Sequence, residues 1–227
     1  MTTIDLTLTF QTPLNVGSGA QRGTLADRAM IKDDRGWPYV PASALKGRLR
    51  HAVEQAAAGL RHRVCVTHQD MCPDDEGYVC PVCRIFGSPW IPGRLRFERL
   101  KLTGPKELVR LLEDRQRRTG QPPRTSHRFG VALSRRRGVA EDHLLYTTEL
   151  FETGTPLVFK GTLRGDLTVV DAALVVAGLR LTPALGRGKT GGLGWMTAQA
   201  VVRDNQEIWD DATLRAALTE EAEEATV

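Results

Sequence analysis

The chain has 227 residues, enough for one large domain or two small ones, and a make-up of 41% hydrophobic and 26% charged residues argues for a packed globular protein and against a disordered one. No stretch approaches the ~18 consecutive apolar residues of a membrane span, and the N-terminus alternates polar with apolar residues instead of forming a signal peptide, so a cytoplasmic location is expected. The net charge of +4 hides an asymmetry: Asp204 to Val227 carries eight acids and one base, which leaves a body with 30 Lys and Arg against 19 Asp and Glu. Such a body suits a polyanionic partner.

Ile4, Leu6, Leu8 and Phe10 alternate with Thr3, Asp5, Thr7 and Thr9, the pattern of a half-buried strand. A loop rich in Gly, Ser, Gln and Arg follows from Pro13 to Asp27, and Asp33-Asp34-Arg35-Gly36 reads as a turn. A helix is expected from Ser43 to Ala58 with Leu45, Leu49, Val53 and Ala56 buried; Lys46 and Arg50, at i and i+4, could reach one anion or could simply face solvent.

Cys65, Cys72, Cys80 and Cys83 fall within nineteen residues, with His68 among them. The turn of Cys80-Pro81-Val82-Cys83 brings two sulfurs to one tetrahedral ion, and the remaining ligands come from Cys65, His68 and Cys72, with the fourth open between Cys65 and His68. A redox dithiol would not need the extra cysteines, and a reducing compartment disfavours disulfides, so structural zinc is expected.

Arg94 to Leu102 reads as a strand with a phase slip near Arg99, and Glu107 to Arg118 as a basic helix. Arg115 to Arg137 holds eight arginines and no acid. Leu144 to Phe151 and Pro156 to Arg164 look like strands paired around Glu152-Thr153-Gly154-Thr155. Thr168 and Asp171 form a capping-box-like start for an apolar helix, Val169 to Leu181, and Leu193 to Val202 reads as a last strand. The tail from Asp210 to Ala225 is expected as an acidic helix or a frayed end. The order β, α, β, ββ, α, β is the ferredoxin-like plan of an α+β protein, with insertions.

Between that helix and last strand lies Gly186-Arg187-Gly188-Lys189-Thr190-Gly191-Gly192-Leu193-Gly194-Trp195, with five glycines and two cations. Glycines let main chain approach a ligand, successive N–H groups can form an anion nest, and the cations add charge, so phosphate is the expected ligand. A nucleoside-triphosphate loop is excluded: the required earlier glycine is Pro183, and such a loop runs from strand to helix, the reverse of the order here. Trp195 is expected in the core.

The alternating first strand, Pro13-Leu14-Asn15-Val16-Gly17-Ser18-Gly19, and Tyr39-Val40-Pro41-Ala42-Ser43-Ala44-Leu45-Lys46-Gly47-Arg48-Leu49-Arg50 together resemble the RAMP superfamily of CRISPR-associated proteins. Cys80-Pro81-Val82-Cys83-Arg84-Ile85-Phe86-Gly87, Arg128-Phe129-Gly130-Val131-Ala132-Leu133, Leu145-Tyr146-Thr147-Thr148-Glu149 and the glycine loop add to the resemblance. Within the superfamily the chain is most similar to the repeated backbone (Cas7-like) subunit of type III effector complexes. The resemblance implies a single RRM-like palm over residues 1–203, with a zinc-binding insertion at 60–93, a thumb-like basic β-hairpin insertion at 119–145, and an acidic tail at 204–227.

It further implies partners: CRISPR RNA, target RNA, other effector subunits and further copies of the chain. Target cleavage would depend on Asp27 with Mg²⁺ or Mn²⁺; the bland reading of Asp27 is a turn aspartate bonded to nearby backbone or to Arg28. Lys46, Arg48, Arg50, Arg128, Gly186, Arg187, Gly188, Lys189, Gly191 and Gly192 are the expected RNA contacts, made to phosphates without reading bases. Two other readings stay open: a non-catalytic scaffold, and a metal-independent processing endoribonuclease using His51 beside Lys46.

Overall fold

The computed structural model describes residues 1–17, 26–65, 71–72, 77–205 and 207–224; His68 lies outside them. The alternation of the first strand, β1 (Thr2–Phe10), is realised in full: Ile4, Leu6, Leu8 and Phe10 are at most 1% exposed, while the intervening residues are partly open. β1 is central because both of its neighbours pair over its whole length, β7 (Leu157–Gly165) on one side and β8 (Met196–Asp204) on the other. The sheet runs β2 (Tyr39–Val40), β4 (Leu100–Gly104), β7, β1, β8, β9 (Glu207–Trp209), and every pairing is antiparallel. β3 (Leu95–Phe97) lies on β7 beside β4, so the phase slip foreseen near Arg99 is a break between two strands that share one partner.

Helix α1 (Ala42–Gly59) buries Leu45, Leu49, Ala52, Val53 and Ala57, an apolar stripe that includes Ala57 where Ala56 was expected. α4 (Val169–Arg180) starts where Thr168 Oγ1 accepts the N–H of Asp171 at 3.1 Å. α4 is apolar on all sides because it is covered on all sides: α1 packs beside it, and α5 (Asp211–Glu224) lays Leu214 and Ala217 over it. Gly178 sets the approach of α4 to α1, since a Cβ there would sit 2.6 Å from Val53 Cγ2. The tail is thus an ordered helix.

One expected pairing is corrected. β6 (Ala140–Leu150) pairs with β5 (Ser126–Leu133) in a separate two-stranded sheet, while β7 joins β1, β3 and β4. The Glu152–Thr155 turn therefore carries the chain from one sheet to the other, because the inner residues of β7 (Leu157, Phe159, Leu163) are needed over the helices. The β5–β6 hairpin leaves Phe129, Leu133 and Leu145 more than 60% exposed. α3 (Lys106–Thr119) precedes the hairpin and has no buried residue; it is pinned by Trp37, whose indole N–H donates to Gln116 Oε1 at 2.5 Å.

α2 (Pro81–Phe86) buries Pro81, Val82, Ile85 and Phe86, and Arg84 on it donates to both carboxylate oxygens of the fully buried Asp171. Arg84→Ala should cost about 3 kcal/mol, because it strands a carboxylate away from water; a urea melt with an unchanged midpoint would contradict this.

Candidate functional site

The cysteines of the insertion converge. Cys65, Cys72, Cys80 and Cys83 hold their Sγ atoms within 4.8 Å of one another, and Cys65 lies 3.5 Å from Cys72 and 3.7 Å from Cys80. Four thiolates at about 2.3 Å around a tetrahedral zinc stand about 3.8 Å apart, so the donor set fits that ion. Cys80 opens α2, where the N–H of Cys83 donates to its sulfur at 3.4 Å. Burial would raise the Cys80 thiol, but that N–H and the adjoining sulfurs hold it below the usual cysteine value, while burial and the same neighbours push Cys65 and Cys83 up. Among the described residues this is the only cluster of three or more metal-capable side chains.

A second centre forms at the Phe10 end of β1, where three segments distant in sequence meet around Asn15. Asn15 is fully buried; its carbonyl accepts the N–H of Arg187 at 2.8 Å, and its Nδ2 donates to the carbonyls of Arg28 (3.2 Å) and Glu149 (2.6 Å). The first loop is thereby held between the glycine loop on one side and the foot of the hairpin on the other. Gly186 and Gly194 serve this packing: both have positive φ, and a Cβ would fall 2.4 Å from Asn15 O at Gly186 and 2.0 Å from Leu185 O at Gly194.

The outer arc of the glycine loop differs from the expected nest. Gly191 and Leu193 donate their N–H groups to Gly188 O, and Gly192 donates to Lys189 O, so these donors close the loop upon itself. What faces out is charge and open backbone: Arg187 is exposed and lies across Gly17, Gly191 and Gly192 are exposed, and Arg128 reaches from β5 to Gly191 O at 3.4 Å. Trp195 is 45% exposed with its indole N–H on Lys189 O at 3.1 Å, so it props the loop and is not a core residue.

Asp27 sits at the junction. It is exposed, and its Oδ2 accepts the backbone N–H of Thr147 on β6 at 2.8 Å; among the described residues Oδ1 has no partner. Arg28 lies 3.9 Å over the ring of Tyr146 and exchanges backbone bonds with Thr147 and Glu149, which fixes Asp27 at the hairpin foot. Beside it Lys32, Arg115, Arg124, His127 and Glu149 line a cleft of about 430 Å³.

The expected contacts on α1 separate. Lys46 and Arg48 are partly exposed, whereas Arg50 donates to Glu54 Oε1 at 3.1 Å and to Gly87 O at 2.8 Å, tying α1 to the cysteine insertion. His51 is exposed and 3.7 Å from Glu54.

In the sequence Glu149 enters only as the last residue of Leu145-Tyr146-Thr147-Thr148-Glu149 and Lys32 as a lysine after Met30-Ile31, with no spacing that pairs them. Glu149, 4% exposed, accepts from Lys32 Nζ at 2.5 Å, Thr125 Oγ1 at 2.7 Å and Met30 N–H at 2.9 Å. Burial alone would raise its carboxyl, but these donors outweigh that and hold it below the ordinary glutamate range. A depressed carboxyl contributes stability that is present above the unfolded value of about 4.3 and is lost as pH falls through the folded value. Glu149→Gln should therefore flatten the acid limb of the stability–pH curve and cost about 3 kcal/mol at neutral pH; an unaltered acid limb in urea melts would refute the assignment.

The family model of the RAMP superfamily matches residues 7–197, from β1 to the start of β8, and the chain belongs to that superfamily. Membership makes it a CRISPR-associated protein of an RNA-binding class. No curated protein matches the chain. No described helix is long and apolar enough to cross a membrane.

Proposed function

We propose that this chain is a guide-binding backbone (Cas7-like) subunit of a type III CRISPR effector complex and that it cleaves complementary target RNA. The observation that carries the reading is the convergence on Asn15: a cationic glycine loop, an exposed carboxylate at Asp27 and the foot of a basic hairpin meet at one end of β1. The spatial order β4, β7, β1, β8 with α1 and α4 on one face fits a ferredoxin-like, RRM-type palm, and the β5–β6 hairpin fits a thumb.

In this reading Arg187, Lys189 and Arg128 hold guide phosphates, and sequence is read by base pairing. Cleavage is attack of a target 2′-oxygen on its adjacent phosphorus with departure of the 5′-oxygen, and a bound Mg²⁺ or Mn²⁺ would supply charge neutralisation at a non-bridging phosphate oxygen. Asp27 fits as the protein's ligand for that ion through Oδ1; the other ligands would come from RNA and water. Cys65, Cys72, Cys80 and Cys83 would hold a structural zinc. The partners are CRISPR RNA, target RNA, other effector subunits and further copies of the chain, in the cytoplasm.

The bond from Thr147 N–H to Asp27 also supports a second reading, in which Asp27 is an anchor and the chain a non-catalytic scaffold. The test is purification with native partners, sequencing of the bound RNA, and incubation with a matched target with and without Mg²⁺. Divalent-dependent cleavage supports the catalytic reading; a bound guide without cleavage supports the scaffold, and cleavage surviving chelation contradicts both.

A further inference from the structure

The helices cover one face of the sheet, and the opposite face is left open, with Thr3, Asp5, Thr7 and Thr9 of β1 along its middle. Two like-charged pairs stand on it. Arg96 on β3 is the direct cross-strand partner of Arg164 on β7, and Lys101 on β4 is the direct partner of Lys160, four residues before Arg164 on the same strand. All four are exposed. Direct partners in an antiparallel pair share a face with their Cβ atoms about 5 Å apart, where like charges repel. A merely solvated face, which accepts threonine or alternating charge at no cost, gives no reason for two such pairs.

The cations continue beyond these pairs. Arg94, just before β3, lines with Arg96 and Arg164 a groove of about 760 Å³ at the Met1 end of the sheet. Arg203 on β8 adds a further cation across Thr3. The acids nearby are fewer than the cations: Asp5 bonds Arg203 and Thr162, Glu98 lies 3.7 Å from Arg164, Asp166 lines the groove with Arg94, Arg96 and Arg164, and Asp33 and Glu113 line a pocket with Lys101. At about 3.3 Å per residue the length of β1 puts this groove about 27 Å from the glycine loop and Asp27, too far for either to share a phosphate with it, whereas Lys160, opposite Thr7, stands about 10 Å from that end.

We propose that this open face, centred on Arg96, Lys101, Lys160 and Arg164, is a second binding surface for the phosphodiester backbone of an RNA strand, distinct from the glycine loop. An acidic protein segment is the other polyanion to consider. The apolar residues of the face are Val158, Val201 and Ile208, with Tyr39 at the β2 edge beneath Arg99, too few to seat a helix or strand. A phosphate backbone needs only cations and the flanking hydroxyl donors of Thr3 and Thr7. The proposal rests on the RNA-binding character of the superfamily and is independent of whether Asp27 cleaves.

The test compares the full chain with a sheet variant (Arg96→Thr, Lys101→Thr, Lys160→Thr, Arg164→Thr) and a loop variant (Arg187→Ala, Lys189→Ala). Binding of a labelled mixed-sequence single-stranded RNA is followed by anisotropy over a salt series. Tm of the sheet variant should stay level or rise, because repulsion has been removed, which separates lost binding from lost folding. Its affinity should fall about 10-fold or more, and the slope of log affinity against log salt should shrink by about 3, the loss expected for four phosphate contacts on a single strand. A folded sheet variant with unchanged affinity and slope overturns the proposal. Loss of self-association by sedimentation velocity, with RNA binding intact, overturns it in favour of an acidic protein partner. A loop variant that binds like wild type while the sheet variant does not would leave the proposal standing and contradict the guide-loop reading instead.

Discussion

Cys80→Ser and Cys83→Ser proteins should purify without zinc and melt about 10 °C or more below wild type. α2 begins at Cys80, and its buried Pro81, Val82, Ile85 and Phe86 belong to the main core, with Phe86 stacked on Phe97 of β3 at 5.9 Å. Losing the ion would release the insertion together with the anchors that join it to the palm, Arg84 on Asp171 and Arg50 on Gly87 O. Metal binding to a thiolate cluster contributes directly to folding free energy, and in a domain of this size each kcal/mol moves Tm by about 2–4 °C. Elemental analysis and calorimetry check both halves. A zinc-free wild type with the same Tm as the serine variants would show that the cysteines pack without metal.

The second large effect concerns Asp27, and a pair of substitutions resolves its two roles. Asp27→Asn keeps an oxygen to accept the N–H of Thr147 but removes the negative charge; Asp27→Ala removes both. If the carboxylate acts in cleavage, both variants should assemble with guide and cut a matched target about 1000-fold more slowly, a loss of about 4 kcal/mol in transition-state stabilisation. If Asp27 is an anchor, Asp27→Asn should behave as wild type, and Asp27→Ala should loosen the hairpin foot and lower Tm. Retained cleavage by the assembled Asp27→Asn complex would end the catalytic assignment.

The elements read most directly from sequence were those whose burial is periodic. β1 and α1 follow from spacing alone, because each has one covered and one open face, and α4 followed from its cap and its uninterrupted apolar run. β7 is the partner that the sequence suggests for β6, because a short turn between two strand-like segments is the usual hairpin signal. The competing partner, β5, has an alternation of its own in Phe129, Val131 and Leu133 and lies within the hairpin that the family resemblance implies, but a longer, arginine-rich connection separates it from β6. Trp195 is expected in the core, yet its N–H finds a partner in Lys189 O at the surface.

The sequence by itself determined the class of partner, the metal-capable cysteines and the superfamily, because net charge, Cys spacing and the glycine motif are local properties that survive without coordinates. Only the tertiary structure decided that Asn15 joins the glycine loop, Arg28 and Glu149, that Glu149 and Lys32 form a buried pair, and that Arg96 meets Arg164 and Lys101 meets Lys160 across strands. Those contacts span from 13 to more than 150 residues, and no local propensity encodes them. They follow from strand register, which is set when the inner faces of β1, β7 and β8 are buried together and every outward residue is carried to its place.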